Sequence, residues 1–232
     1  MPVSDLSITE DGHYFISVGV AAAQMNDIIT LQVVDGEDCG QIYTYTVRQY
    51  CDTILADESH SQYHQLVKEV LNYGGAAQIY FDHNADNLAN DGITDVAATD
   101  IPETTADMAV SDKINGLSFY GASLLFRDRI AVRYYFTGDV SGCVFNANGN
   151  TYTPIVKDGM YYVEIADILP QNLNQQITMT ITDADGNALA VTYGPMNYIV
   201  RMNQKGDDNL KNLLRALYNY HLTAKQLSET TA

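Results

Sequence analysis

Leu66–Tyr73 reads LVKEVLNY, and Leu213–Tyr220 reads LLRALYNY. This pair decides the fold, because the match continues outward in both directions. Gly12–Val18 (GHYFISV) aligns with Gly159–Ile165 (GMYYVEI), and Ile29–Asp35 (ITLQVVD) aligns with Ile177–Asp183 (ITMTITD). Tyr50 falls opposite Tyr198. The offset stays at 147 or 148 throughout. A constant offset over such a length marks one repeated unit rather than scattered coincidence.

Each copy reads as strands followed by helices. Tyr14, Ile16 and Val18, and then Ile29, Leu31 and Val33, recur at every second residue, the pattern of half-buried strands. DGEDCG (Asp35–Gly40) and DADGNA (Asp183–Ala188) carry hairpin-turn chemistry. Val47, Tyr50, Cys51, Ile54 and Leu55 then form one helical stripe, with Thr46 and Gln49 as a capping box. Ser59 with Gln62 reads as a second box, opening a helix whose stripe runs from Tyr63 to Phe81. Pro195 suits the first turn of the matching helix in the second copy.

The expected class is α+β, with two unequal repeats, each an antiparallel sheet or immunoglobulin-like sandwich followed by a helical hairpin. Expected helices are 46–57, 60–81, 195–204 and 208–227, with a sandwich over 117–194. The second copy has extra strands at Leu117–Phe126, Ile130–Thr137, Cys143–Asn146 and Tyr152–Val156. The first copy has only Leu6–Thr9 ahead of Gly12, so it reads as a reduced sheet or a module entered partway. Residues 1–92 form the first unit and 116–232 the second. Between them 93–115 reads as an acidic linker or surface loop.

Within LNYGGAAQIYF (Leu71–Phe81), Gly74 lies on the apolar stripe and faces His221 in the alignment. Two glycines inside a helix each cost about 1 kcal/mol relative to alanine. A close approach by another helix or a strand offsets that at Gly74. Gly75, off the stripe, is expected to accept alanine freely.

Of 232 residues, 46% are hydrophobic, enough for a core. The formal net charge of −17 repels phosphate backbones and anionic lipid, which removes nucleic acid as a partner. No apolar run reaches the roughly 20 residues of a membrane span. MPVSDLSITEDG lacks the basic and apolar regions of a signal peptide. Cys39, Cys51 and Cys143 fit no metal or redox spacing. By alignment Cys51 sits on a buried stripe and Cys39 in a turn.

No motif selects a catalytic residue, and no cofactor is expected. His60 and His64 are spaced for a shared metal but lack a third ligand. DHNADNLANDG (Asp82–Gly92) opens like a calcium loop, which makes Asp82, Asn84 and Asp86 the metal candidates. Asn87 replaces the usual glycine there, and Ile93 the bidentate glutamate, so a plain helix-ending loop is the competing reading. The doublets Tyr134–Tyr135 and Tyr161–Tyr162 lie on strands, so one ring of each faces outward, where it suits protein or sugar binding.

YTVRQYCDTIL, LVKEVLNYGGAAQIYF, NADNLAND, AVRYYF, GMYYVEI and NLKNLLRALYNYHLTA together cover nearly the whole chain. This set resembles the repeated modules of large secreted surface proteins of Gram-positive gut bacteria. The chain departs from that pattern at Gly75 and at His221–Leu222. The resemblance implies an extracellular, cell-surface, non-catalytic setting and carries no site residues with it. The leading expectation is an adhesion module binding a host or cell-surface protein such as an immunoglobulin or mucin. The alternatives are a carbohydrate-binding accessory module of a secreted hydrolase, and a structural spacer.

Overall fold

The structure is a computed structural model and describes residues 7–231. Leu6 of the expected first strand lies outside them. The fold is α+β, and every strand pairing among the described residues is antiparallel.

The chain opens with two short strands, β1 (Ser7–Ile8) and β2 (Tyr14–Phe15), followed by a 3₁₀ turn at Ala22–Gln24. The hairpin β3 (Ile29–Asp35) and β4 (Asp38–Tyr45) leads into α1 (Val47–Ala56) and α2 (Ser61–Phe81). Nine further strands follow: β5 (Ala109–Asp112), β6 (Leu117–Phe126), β7 (Ile130–Gly138), β8 (Val144–Ala147), β9 (Asn150–Tyr152), β10 (Ile155–Lys157), β11 (Met160–Ile168), β12 (Ile177–Thr182) and β13 (Ala188–Tyr193). Helices α3 (Pro195–Lys205) and α4 (Asp208–Thr231) close the chain.

Strands β10-β11-β7-β6 form one sheet and β5-β13-β12-β8-β9 another. Their facing side chains build a common core. Phe136 of β7 meets Phe145 of β8 with ring centroids 5.5 Å apart. The Tyr134 hydroxyl crosses the core to donate to the carbonyls of Ile177 (2.9 Å) and Tyr193 (3.0 Å). Each buried aliphatic or aromatic side chain here contributes about 1.5–3 kcal/mol. The helices extend this core, with Tyr73 of α2 against Tyr220 of α4 (6.1 Å) and Phe126 of β6 against Tyr198 of α3 (6.1 Å).

The four helices stand where their apolar stripes placed them. Thr46 caps α1 by accepting from the Gln49 N–H, while the Gln49 side chain accepts from the Thr46 N–H. The expected Ser59–Gln62 box is absent. Asp57 does that work instead, accepting from both the amide and the hydroxyl of Ser59 and from His60. These bonds, the Ser59 hydroxyl first, hold the exposed Asp57 carboxyl below its ordinary range. A 3₁₀ turn at Glu58–His60 results, and α2 starts after it.

Three strand expectations are corrected. The β3–β4 turn is only Gly36–Glu37, with Gly36 at φ +60, so Asp38–Gly40 belong to a strand. Tyr152–Val156 is two strands rather than one. β9 pairs with β8, β10 pairs with β11, and the chain changes sheets at Thr153–Pro154, where proline cannot donate to a ladder. The β3–β4 hairpin is also not half-buried: apart from part of Ile29 it is exposed on both faces.

The segment between Asn84 and Asn115 is tied down along its length. Gln78, fully buried, donates to the carbonyls of Asn84 and Asn87 and accepts from the Ala89 N–H. Arg48 donates to the carbonyls of Ala89 and Asp91. Asn219 makes a two-way amide bond with the backbone of Thr99. Asn197 and Gln204 hold the carbonyls of Ala106 and Glu103.

Both glycines of α2 lie inside the helix. A Cβ at Gly74 would sit 2.6 Å from Met25 Sδ, 3.1 Å from Ala89 Cβ and 3.2 Å from the Ala22 carbonyl oxygen. The close approach expected there is found, but it is made by the 3₁₀ turn at Ala22–Gln24 with Met25, and by Ala89 of the loop after α2, rather than by a long helix or a strand. The freedom expected at Gly75 is corrected: its Cβ would run into the Asn90 side chain, which is bonded to Asn72.

Candidate functional site

Two surfaces stand out, and the strands set both. The first is the outer face of the four-stranded sheet. The ladder places Tyr135 opposite Tyr162 and Val163 opposite Tyr134, so each tyrosine doublet splits across the sheet. Tyr134 turns inward and is fully buried, and burial raises its hydroxyl pKa. Tyr161 lies opposite Phe136 and packs against the core. Tyr135 and Tyr162 are the outward members, 6.2 Å apart with rings tilted by 51°.

The sequence did not single out Tyr120 and Arg133, which join them. The β6–β7 register slips between Phe119 and Gly121, a bulge at Tyr120. The bulge lets Phe119 stay inward against Phe136 (5.8 Å) while Tyr120 is 70% exposed. Arg133 stacks over the Tyr162 ring at 4.0 Å and donates twice to Glu164 Oε2 (2.7 and 3.3 Å). Tyr120, Arg133, Tyr135, Lys157, Asp158 and Met160 line a shallow cleft of about 250 Å³. No local motif announces it, because its members come from four strands and a turn.

The second surface is the uncovered side of the first region. Ile16, Val18, Leu31, Val33, Tyr43 and Tyr45 are all large, apolar and exposed. Beside α1 and α2 lies an apolar groove of about 580 Å³ lined by Val47, Tyr50, Ile54, Tyr63, Leu66 and Val70 among others. Single exposed apolar residues are ordinary; four on one hairpin, Leu31, Val33, Tyr43 and Tyr45, with Ile16 and Val18 exposed in the segment after β2, are not.

The remaining candidates have structural occupations. His64 Nε2 donates to the carbonyls of Ile54 and Asp57 and closes the end of α1, while His60 is held by Asp57. Asp82 and Asn84 both take left-handed φ near +51 in the turn after α2. The Asn84 carbonyl already accepts from Gln78 and from the Asn87 N–H. No group of three or more His, Cys, Asp or Glu side chains is placed around a metal position among the described residues. Asp82, Asn84 and Asp86 stand in the turn that follows α2, where the Asn84 carbonyl is engaged by backbone and side-chain donors.

Glu69 is fully buried, and its Oε1 accepts from the Ala97 N–H and Gln65, anchoring the segment between Asn84 and Asn115. Cys51 is buried, which pushes its thiol up to about 11, while Cys39 is exposed and Cys143 half-buried. His221 is buried and donates from Nδ1 to the Pro170 carbonyl at 2.7 Å, and burial lowers its pKa. Among the described residues no helix is long and apolar enough to cross a membrane.

No family model, curated protein or solved structure matches the chain.

Proposed function

We propose that the chain is a non-catalytic binding module of a bacterial cell-surface protein, displayed extracellularly, with a host or cell-surface protein as its ligand. The two packed sheets are read as an immunoglobulin-like sandwich. The β1–β4, α1, α2 region and the β10–β13, α3, α4 region are read as two copies of one unit. Ile29 pairs with Tyr45 as Ile177 pairs with Tyr193, each shifted by 148. Ser7 pairs with Phe15 as Ile155 pairs with Tyr162. The 3₁₀ turns Ala22–Gln24 and Pro170–Asn172 are also 148 apart.

The observation that carries the binding reading is the bulge that aims Tyr120 into solvent beside Tyr135, Tyr162 and Arg133. Tyrosine and arginine together supply apolar area and hydrogen bonds at small entropic cost, the composition of interface anchors. The 51° tilt between Tyr135 and Tyr162 argues against a flat platform for an extended polysaccharide. A cleft of about 250 Å³ has room for one side chain, or for one sugar ring in the carbohydrate alternative.

The test is retention of proteins from mucosal secretions on the immobilised chain, beside a glycan array, for wild type and Tyr120→Ala. Selective retention that is lost in Tyr120→Ala is the expected result. Array binding without protein retention moves the assignment to the carbohydrate reading. Equal retention by both forms overturns the outer-face assignment and moves the binding surface elsewhere, and no retention by either leaves a spacer.

A further inference from the structure

The uncovered face of the first region has a counterpart that is fully covered. Applying the offsets, Ile16 and Val18 match Val163 and Ile165, Leu31 and Val33 match Met179 and Ile181, and Tyr43 and Tyr45 match Val191 and Tyr193. All six in the second region are buried, and all six in the first are exposed. Val33 is 61% exposed where Ile181 is 0% exposed. The chemistry is the same on both faces; what differs is the neighbour.

In the second region the neighbour is β5–β9. Strands β6 and β7 lay Leu117, Leu124, Val132, Tyr134 and Phe136 into the core, and β8 adds Phe145. The same strands complete three ladders. β7 pairs with β11, β8 with β12 over Thr180–Thr182, and β5 with β13 over Leu189–Thr192. At the matching edges, among the described residues, β2 pairs only with β1, and β3 and β4 pair only with each other. The groove between α1 and α2 fits the same pattern. Its counterpart beside α3 is occupied by Phe126 of β6 against Tyr198, the match of Tyr50, which lines the open groove.

We propose that this face is a docking site for a strand set of the same plan as residues 109–152, entering β1 as β9 enters β10. This rests on the two-copy reading above. The docked strands pair with the free edges of β2, β3 and β4 and cover Ile16, Val18, Leu31, Val33, Tyr43 and Tyr45. An aromatic from the strand matching β6 fills the α1–α2 groove. Docking is hydrophobic burial plus strand addition, the combination that already closes the second region.

The experiment compares the chain with a fusion in which a second copy of residues 107–153 is placed ahead of Leu6. Amide hydrogen exchange, binding of an apolar-surface dye and sedimentation are read on both. In the unmodified monomer, β3–β4 amides exchange fast and the dye binds. In the fusion, their exchange slows on the order of 100-fold or more, and dye binding falls. The proposal is overturned if β3–β4 stays fast in the fusion, whether the added strands fold or remain unprotected. It is equally overturned if the unmodified chain is a dimer with β3–β4 already protected, since a second copy then covers the face. Cross-strand amide contacts between Ile29 and Tyr45 in the unmodified chain test the two-copy reading separately. With those contacts present and the fusion unprotected, only the docking inference falls.

Discussion

Hairpins β3–β4 and β12–β13 share an alternating apolar pattern and the same end register, yet one is bare and the other is the centre of the core. Burial is thus not a property of the strand. Ile181 is buried beside its ladder partner Phe145 on β8, which packs against Phe136 of the other sheet; Val33 has no such neighbours among the described residues. The helices repeat the lesson on a smaller scale. At Gly74, α2 meets the carbonyl of Ala22 by having no side chain, and at His221, α4 meets the carbonyl of Pro170 with a hydrogen bond. The same helix-to-turn contact is solved by absence in one place and by a polar bridge in the other.

The comparison breaks most directly at the matched pair. Ile181→Ala should cost about 2–5 kcal/mol, because it opens a cavity in a closed core. Val33→Ala should change stability by no more than about 0.5 kcal/mol, as an exposed substitution does. Denaturant unfolding of both variants checks this, and equal losses would mean that β3–β4 is covered in solution.

Next come the glycines. Gly74→Leu should destabilise by about 3 kcal/mol, because Met25, Ala89 and the Ala22 carbonyl leave no space. Gly75→Ala should lose about 1 kcal/mol net, since the clash with Asn90 outweighs the gain in helix propensity. Thermal melts separate the two. A stabilised Gly75→Ala would show that Asn90 moves aside freely.

The smallest effect belongs to His221. Burial lowers its pKa from 6.5 in the folded chain. The unfolded chain takes up that proton as pH falls through about 6.5, and the folded chain resists it. The contribution is therefore present above that pH and lost as pH falls below it through the depressed folded-state value. His221→Gln, which keeps a donor for the Pro170 carbonyl, should flatten this part of the stability profile. An unchanged slope in that variant would place the proton uptake elsewhere.

Much of the architecture was legible in residues 12–81 and 159–231, where local rules act. Stripes at helical spacing placed α1 to α4, Thr46 and Gln49 formed the cap they spelled, and Pro195 opened α3. The candidate site was half legible. Period two required one ring of each tyrosine doublet to face out, but Tyr120 and Arg133 depended on a bulge and on a third strand. Competition between equivalent local signals was also invisible: Asp57 displaced Ser59 as the cap because it reaches two donors of Ser59 and the His60 ring at once.

By itself, the sequence determined the order of elements, the alternation of the strands and the helical stripes. These depend on residues a few positions apart. The tertiary structure alone decided which apolar faces are covered, where the segment from Asn84 to Asn115 is tied, and why Gly75 has no room. Each of those is set by side chains distant in sequence, such as Asn90 over Gly75, Asn219 over Thr99 and Phe145 over Phe136. An amphipathic pattern states what a strand needs, and only the packed chain states whether the need is met.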